Sequence, residues 1–285
     1  MLKLKDCYVF CKGNTWTPDK GGSASALRDA EAALDRFGEG TYLEDINSES
    51  IDRWIASLRE RGNCGGTINR KLSALSSLLD YGVKRGHLVH KPFIQWQSES
   101  KERRIRWLSK EEEAAAVLYL DSNGLSEHSD ILIILVDTGL RPSELWRVQI
   151  RDIDTTSERY VLRVWDTKTK KARSIPLTGR ASEIMGRWIE RSSDDAPSDK
   201  PFQSLNTQWF GRGWDEMRKA LGFATDKHFI PYILRHTCAS RLVQSGIQLQ
   251  VVQAWLGHST PAMTLRYAHL SPANLLEAVK VLEAS

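Results

Sequence analysis

The chain has 285 residues, enough for two ordinary domains with a sizeable core in at least one of them. Forty Lys and Arg against 36 Asp and Glu leave a net charge of +4, which suits a polyanionic partner without requiring one. Four cysteines, with no histidine near the Cys7/Cys11 pair, argue for reduced thiols rather than a zinc site, and neither the amino terminus nor the longest apolar run, 131–136, resembles a secretory or membrane-spanning segment. The expectation is a soluble, cytoplasmic protein.

Residues 25–90 read as helices. Leu27, Ala30, Leu34 and Phe37 recur at helical spacing, followed by Ile51, Trp54, Ile55 and Leu58, then Ile68, Leu72, Leu75 and Leu79, with Gly38, Gly62 and Gly86 between them. Thr67 is the expected N-cap of the third helix. Arg70 and Lys71 follow in its early turns, the wrong end of a helix dipole for cations, which points to an anion outside the helix. The stretch SKERRIRWLSK then sets Lys101, Arg103, Arg104, Arg106 and Lys110 against Glu102 alone. It reads as an interdomain linker at 96–108, either a solvated charge run or a contact with a DNA backbone. The chain thus divides into 1–95, the linker 96–108 and 109–285.

A buried helix around 131–136 leads into DTGLRPSEL, where Pro142 suits the first helical position and so makes Arg141 the N-cap and Glu144 the third helical residue. An arginine there stands beside free backbone amides at the positive end of a dipole. That arrangement repels the arginine and attracts a phosphate, unless Glu144 alone answers it. Between 159 and 177 the period changes to two: Tyr160, Leu162 and Val164 alternate with Val161, Arg163 and Trp165, and ARSIPL resumes the pattern. This is a hairpin or small sheet edge whose basic tip carries Lys168, Lys170, Lys171 and Arg173. Such a tip is either a solvated turn or a donor of a lysine to a DNA groove, where the ammonium protonates a departing alkoxide.

Helices return after Tyr232, in PYILRHTCASRLVQSGIQLQVVQAWLGH, with Gly246 as the turn between two of them; a helix-turn-helix DNA reader is a rival reading of that stretch. STP after LGH places Tyr267 on a short helix starting near Pro261. The final SPANLLEAVKVL is a short amphipathic tail. The fold class is mostly α with a small antiparallel β-sheet, an α+β arrangement.

Arg141, Lys168, Arg235, His258 and Tyr267, in the phrases TGLRPSEL, TKT with a following IPL, LRHTCASRLVQSG and LGHS with the tyrosine eight residues on, resemble the catalytic set of the tyrosine recombinases, the phage integrase family. The resemblance spans roughly residues 103–275, and TINRKLSALSSLLDYGVKRG is similar to part of the family's helical core-binding domain. It implies a DNA-binding first domain, and a catalytic domain that cuts and rejoins double-stranded DNA through a 3′-phosphotyrosine without ATP or metal. Arg141 and Arg235 would clamp the scissile phosphate, Tyr267 attack, Lys168 protonate the 5′ oxygen, His258 bind the phosphate and Glu144 orient Arg141. Arg70, Lys71, Arg103, Arg104, Arg106, Lys170, Lys171 and Arg173 are the expected DNA contacts.

The resemblance further implies a homotetramer on two DNA sites, exchanging a C-terminal segment through Leu275, Leu276, Val279 and Leu282, with accessory DNA-bending or directionality factors as further partners and a role in a phage or other mobile element or in chromosome-dimer resolution. Two features depart from the family. Tyr232 stands where a histidine is usual, and a phenol of pKa about 10 is a poor proton acceptor at neutral pH; the neighbouring His236 reads as structural. Only about two dozen residues precede the first expected helix, too few for the additional arm-site-binding domain of many phage integrases. The rivals are a DNA-binding relative impaired in strand exchange, suggested by Tyr232, and a type IB topoisomerase-like enzyme.

Overall fold

The computed structural model describes residues 2–20, 22–98, 105–165, 172–192, 199–202, 204–271 and 282–283. They form two compact units, 1–103 and 104–285. The first is helical: α1 (Leu4–Asn14), α2 (Ser23–Phe37), α3 (Ser48–Glu60) and α4 (Gly65–Lys84). Both α1 and α2 pack along α4, closing a core of Leu4, Ala30, Ile51, Leu72, Leu75 and Leu79.

Helix α1 corrects the expectation that helices begin near residue 25. Leu4, Cys7 and Cys11 form one buried helical face on which the thiols act as small apolar groups, and burial pushes the Cys7 thiol up to about 12. Helix α3 starts at Asn47, whose side chain accepts the Ser50 N–H at 2.9 Å. Helix α4 is capped by Cys64, so Thr67, the expected N-cap, already lies inside its first turn. Arg70 is exposed on α4, whereas Lys71 is half-buried and pairs with Asp29 of α2 at 3.7 Å, an internal partner rather than an external anion.

The second unit opens with residues expected in the linker. Leu108 is buried and its N–H donates to Thr237 Oγ1 at 2.9 Å, and Arg106 pairs with Glu112 and Asp226 while lying over the rings of Phe223 and Phe229. Two carboxylates and two aromatic faces hold this guanidinium within the unit, so Arg106 is not the free DNA contact that the charge run suggested. Arg103 and Arg104 lie outside the described residues, as do Lys168, Lys170, Lys171, Leu275, Leu276 and Val279; Leu282 is exposed.

Helix α5 (Lys110–Ser122) starts at Ser109, reciprocally capped with Glu112, and packs on α6 (Ser126–Thr138); α7 (Pro142–Leu145) follows. Strands β1 (Ile153–Asp154), β2 (Val161–Trp165) and β3 (Ala172–Pro176) make an antiparallel sheet in that order, with Leu162 opposite both Ile153 and Ile175. The alternation read in the sequence is the pleat, Leu162, Val164 and Ile175 facing the core. Helices α8 (Gly179–Arg191), α9 (Thr207–Ala220), α10 (Ile233–Gln244), α11 (Leu249–Leu256) and α12 (Ala262–Leu265) complete the unit, with α10 packed on α6 and α11. Among the described residues no helix is long and apolar enough to cross a membrane, and no cluster of acidic, His or Cys side chains is arranged to hold a metal.

Candidate active site

The site is assembled where α6, α7, β3, α10 and α11 meet. Helix α6 ends at Gly139 in the left-handed region, φ 66°, where a Cβ would stand 2.7 Å from Leu256 Cδ2 and 3.1 Å from Cys238 Sγ. Both the conformation and the close approach therefore require glycine. Two residues on, Arg141 is the N-cap of α7, as the spacing of Pro142 and Glu144 predicts: its N–H donates to Glu144 Oε2 and its Nη1 to Glu144 Oε1, each at 2.9 Å.

Glu144 also receives a second arginine. Arg173 of β3 donates from Nη2 to Oε2 at 2.9 Å and from Nη1 to Oε1 at 3.3 Å, and its Nε donates to the Trp255 carbonyl at 3.0 Å. Arg173 was expected to face DNA from the basic tip; instead it turns inward, because it shares the inner face of β3 with Ile175 two residues away. That period was the signal available in the sequence. Burial alone would raise the Glu144 carboxyl, but the Arg173 hydrogen bonds, with Arg141, outweigh it and hold the group below the usual carboxylate range.

Arg235 of α10 is 1% exposed and 3.9 Å from Glu144. Its Nη1 and Nη2 donate to the carbonyls of Gly139 and Leu256, both at 2.6 Å, and its Nε has no protein partner among the described residues. Burial, then the charge of Arg141, lowers its pKa. The guanidinium thus closes the C-terminal ends of α6 and α11, a favourable place for a cation.

Past α11, Gly257 adopts φ 67°, and a Cβ there would meet Arg173 Nη1 at 2.7 Å. His258 follows, buried, with Nδ1 2.8 Å from Thr264 Oγ1. Burial and the surrounding guanidinium groups of Arg235, Arg141 and Arg173 push it down to about 4, so it is neutral near pH 7.

Tyr267 lies just beyond α12, where its ring packs among Ala239, Val243, Val252 and Leu256 and only 2% of the residue is exposed. Burial raises its phenol to about 12. Its Oη is 2.6 Å from Nδ1 of His236, the histidine that the sequence reading set aside as structural. Burial, then the charges of Arg266 and Arg235, push His236 down to about 4. Tyr232, the N-cap of α10, is 36% exposed, with its ring edge-on to His236 at 5.0 Å. The i, i+4 relation of 232 and 236 was the clue to that pairing.

The structure therefore brings Arg141, Glu144, Arg173, Arg235, His258, Tyr232, His236 and Tyr267 into one cluster. Three guanidinium groups converge on one carboxylate beside a protonated phenol. The surplus positive charge suits an anion whose charge is spread over several oxygens, and the phenol is a nucleophile once its proton is taken.

The phage integrase family matches residues 106–274. The tyrosine recombinase XerC of Corynebacterium glutamicum is 27% identical over 271 residues, covering 90% of this chain and 85% of that protein. XerC of Staphylococcus carnosus is 28% identical over 247 residues, covering 83% and 82%. Among solved structures, the Tn1549 transposon integrase in complex with transposon right-end DNA superimposes with a TM-score of 0.76 at 17% identity, covering 100% of both chains. The site-specific recombinase XerH bound to difH substrate gives 0.69 at 21% identity, covering 92% of this chain and 79% of that one. At these identities the structural likeness is one of fold.

Proposed function

This chain belongs to the phage integrase family and is a tyrosine-type site-specific DNA recombinase, and from that premise we propose how its residues divide the work. Tyr267 Oη attacks the scissile phosphorus and forms a 3′-phosphotyrosine, releasing a 5′ hydroxyl; the reverse attack rejoins the strand. Arg141 and Arg235 stabilise the charge that builds on the non-bridging oxygens of the five-coordinate phosphorus. Glu144 fixes Arg141, His258 hydrogen-bonds the phosphate, and Lys168 protonates the leaving oxygen. The bond energy is kept in the phosphotyrosine, so the reaction needs neither ATP nor metal.

The observation that carries this reading is the buried excess of guanidinium over carboxylate around a phenol that is the right group to be captured by phosphorus. The reading extends to the first unit as a core-binding domain on double-stranded DNA, with Arg70 as a backbone contact, and to a homotetramer acting in the cytoplasm on two DNA sites. The biological setting is a mobile element or chromosome-dimer resolution, with accessory DNA-bending proteins. A second reading, a DNA-binding relative impaired in strand exchange, is favoured by Tyr232 alone.

The test uses duplexes enriched from a random pool by binding to the protein, then nicked at successive positions so that cleavage traps the covalent intermediate. The parent is expected to form an adduct on one of them, and Tyr267→Phe to form none while binding the same duplex, since the ring keeps its packing. An undiminished adduct in Tyr267→Phe overturns the assignment of the nucleophile; binding without any adduct by the parent favours the second reading.

A further inference from the structure

We propose that His236, rather than Tyr232, accepts the phenolic proton of Tyr267 during strand cleavage; this deepens the recombinase reading above and rests on it. The 2.6 Å separation of Tyr267 Oη and His236 Nδ1 is a direct hydrogen bond with no room for an intervening water. Tyr232 is placed differently. It stands half-exposed at the start of α10 with its ring against the imidazole at 81°, so it buttresses His236. A phenol is in any case a poor acceptor at neutral pH, whereas a neutral imidazole has a lone pair for the task.

The groups facing His236 explain how that lone pair is kept open. Arg235 comes from its own helix, Arg266 from the turn that carries Tyr267, and the rings of Tyr232 and Tyr267 stand beside the imidazole. Without DNA the two arginine charges and burial disfavour the imidazolium, so Nδ1 accepts from the Tyr267 hydroxyl. A phosphodiester seated against Arg235 offsets that charge and makes the imidazole more basic as the nucleophile is needed. As Oη bonds to phosphorus, the phenolic proton passes to Nδ1. The electron pair of the broken P–O bond leaves with the 5′ oxygen, which takes its proton from Lys168. In rejoining, the 5′ hydroxyl gives its proton back to Lys168 as its oxygen attacks the phosphotyrosine, and His236 returns the proton it holds to the departing phenolate.

The experiment is single-turnover cleavage of the nicked duplex across pH by the parent, His236→Asn, His236→Ala and Tyr232→Phe. Asparagine keeps a carbonyl oxygen near the place of Nδ1 and so preserves a hydrogen-bond acceptor, but it cannot hold the proton. His236→Asn is expected to bind the duplex normally, to cleave at least about a hundredfold more slowly at pH 7, and to lose the acid limb of the parent's profile. Added imidazole is expected to restore part of the rate in His236→Ala, which a purely structural role would not allow. A His236→Asn protein that cleaves like the parent overturns the proposal, as does a Tyr232→Phe protein that loses the acid limb. A parent that forms no adduct on any duplex removes the recombinase reading itself, an outcome distinct from an adduct indifferent to residue 236.

Discussion

The two units solve the problem of an interior in opposite ways. In the first, the buried side chains are almost all apolar, and Ser23 is the one buried polar residue among those described. The second buries Arg235, His258, His128, Glu113 and Asp152 along with its apolar core. Ionised groups are costly to bury unless each is answered by a charge or hydrogen bond. Glu113 is answered by Arg180 and Arg241 and Asp152 by Gln149 and Trp165, while Arg235 and His258 lie in the cluster around Glu144, so this is the unit whose interior is shaped by chemistry as well as by folding. The comparison separates a scaffold from a reaction chamber, and it can be broken by experiment.

Acid makes the sharpest test. His236 and His258 sit at about 4 in the folded protein against an ordinary value of about 6.5, so between those values the unfolded chain binds more protons and stability rises with pH. Stability present above about pH 6.5 is therefore lost as the pH falls to about 4, by roughly 3 kcal/mol for each of the two groups. The first unit has only the exposed His87 and His90 and should change little over that window. Hydrogen exchange of the whole chain, followed peptide by peptide between pH 7 and 4, reads both units at once. Equal loss of protection in the two would end the contrast.

A smaller effect is expected on removing one member of the buried ion cluster. Arg173→Ala takes two hydrogen bonds from Glu144 and one from the Trp255 carbonyl, and breaking a buried pair from one side costs about 3 to 5 kcal/mol. Urea unfolding of the second unit should show it, and cleavage should fall because Glu144 no longer holds Arg141. If Arg173→Ala unfolds at the parent's urea concentration, the cluster is not part of the interior in the energetic sense. Smallest of all is Tyr232→Phe, which keeps the ring against His236: if the half-exposed phenol also hydrogen-bonds the bound phosphate, its loss costs about 1.5 to 3 kcal/mol, one to two decades in cleavage rate, with the pH profile unchanged in shape. A rate equal to the parent's would place Tyr232 with the scaffold.

Much of this was readable before any coordinates. The helical faces of 25–90 and the pleat of β2 and β3 follow from side-chain period, and Arg141 as N-cap follows from Pro142 and Glu144. What escaped reading shares one cause: a side chain whose chemistry suggested one use was recruited for another by its neighbours in space. Cys7 and Cys11 drew attention as thiols and hid the apolar face of α1. Arg106 and Arg173 were counted with basic runs, although the first lies between two carboxylates and two rings and the second shares a strand face with Ile175. His236 was passed over because the turn that delivers Tyr267 to it lies 31 residues away. Period reveals which face is buried; it does not reveal which distant polar group is waiting there.

The two carbonyls held by Arg235 bear on how an inert version of the protein should be made. A guanidinium that ties the last turns of α6 and α11 together is as much a fastener as a reagent, so replacing it to silence chemistry also unfastens the corner at Gly139 and Leu256. Loss of activity in such a variant would be uninterpretable as catalysis. Removing the single oxygen of Tyr267 leaves both helix ends closed and the ring among Ala239, Val243, Val252 and Leu256. For trapping uncut DNA complexes, Tyr267 is the residue to change and Arg235 is the one to leave alone.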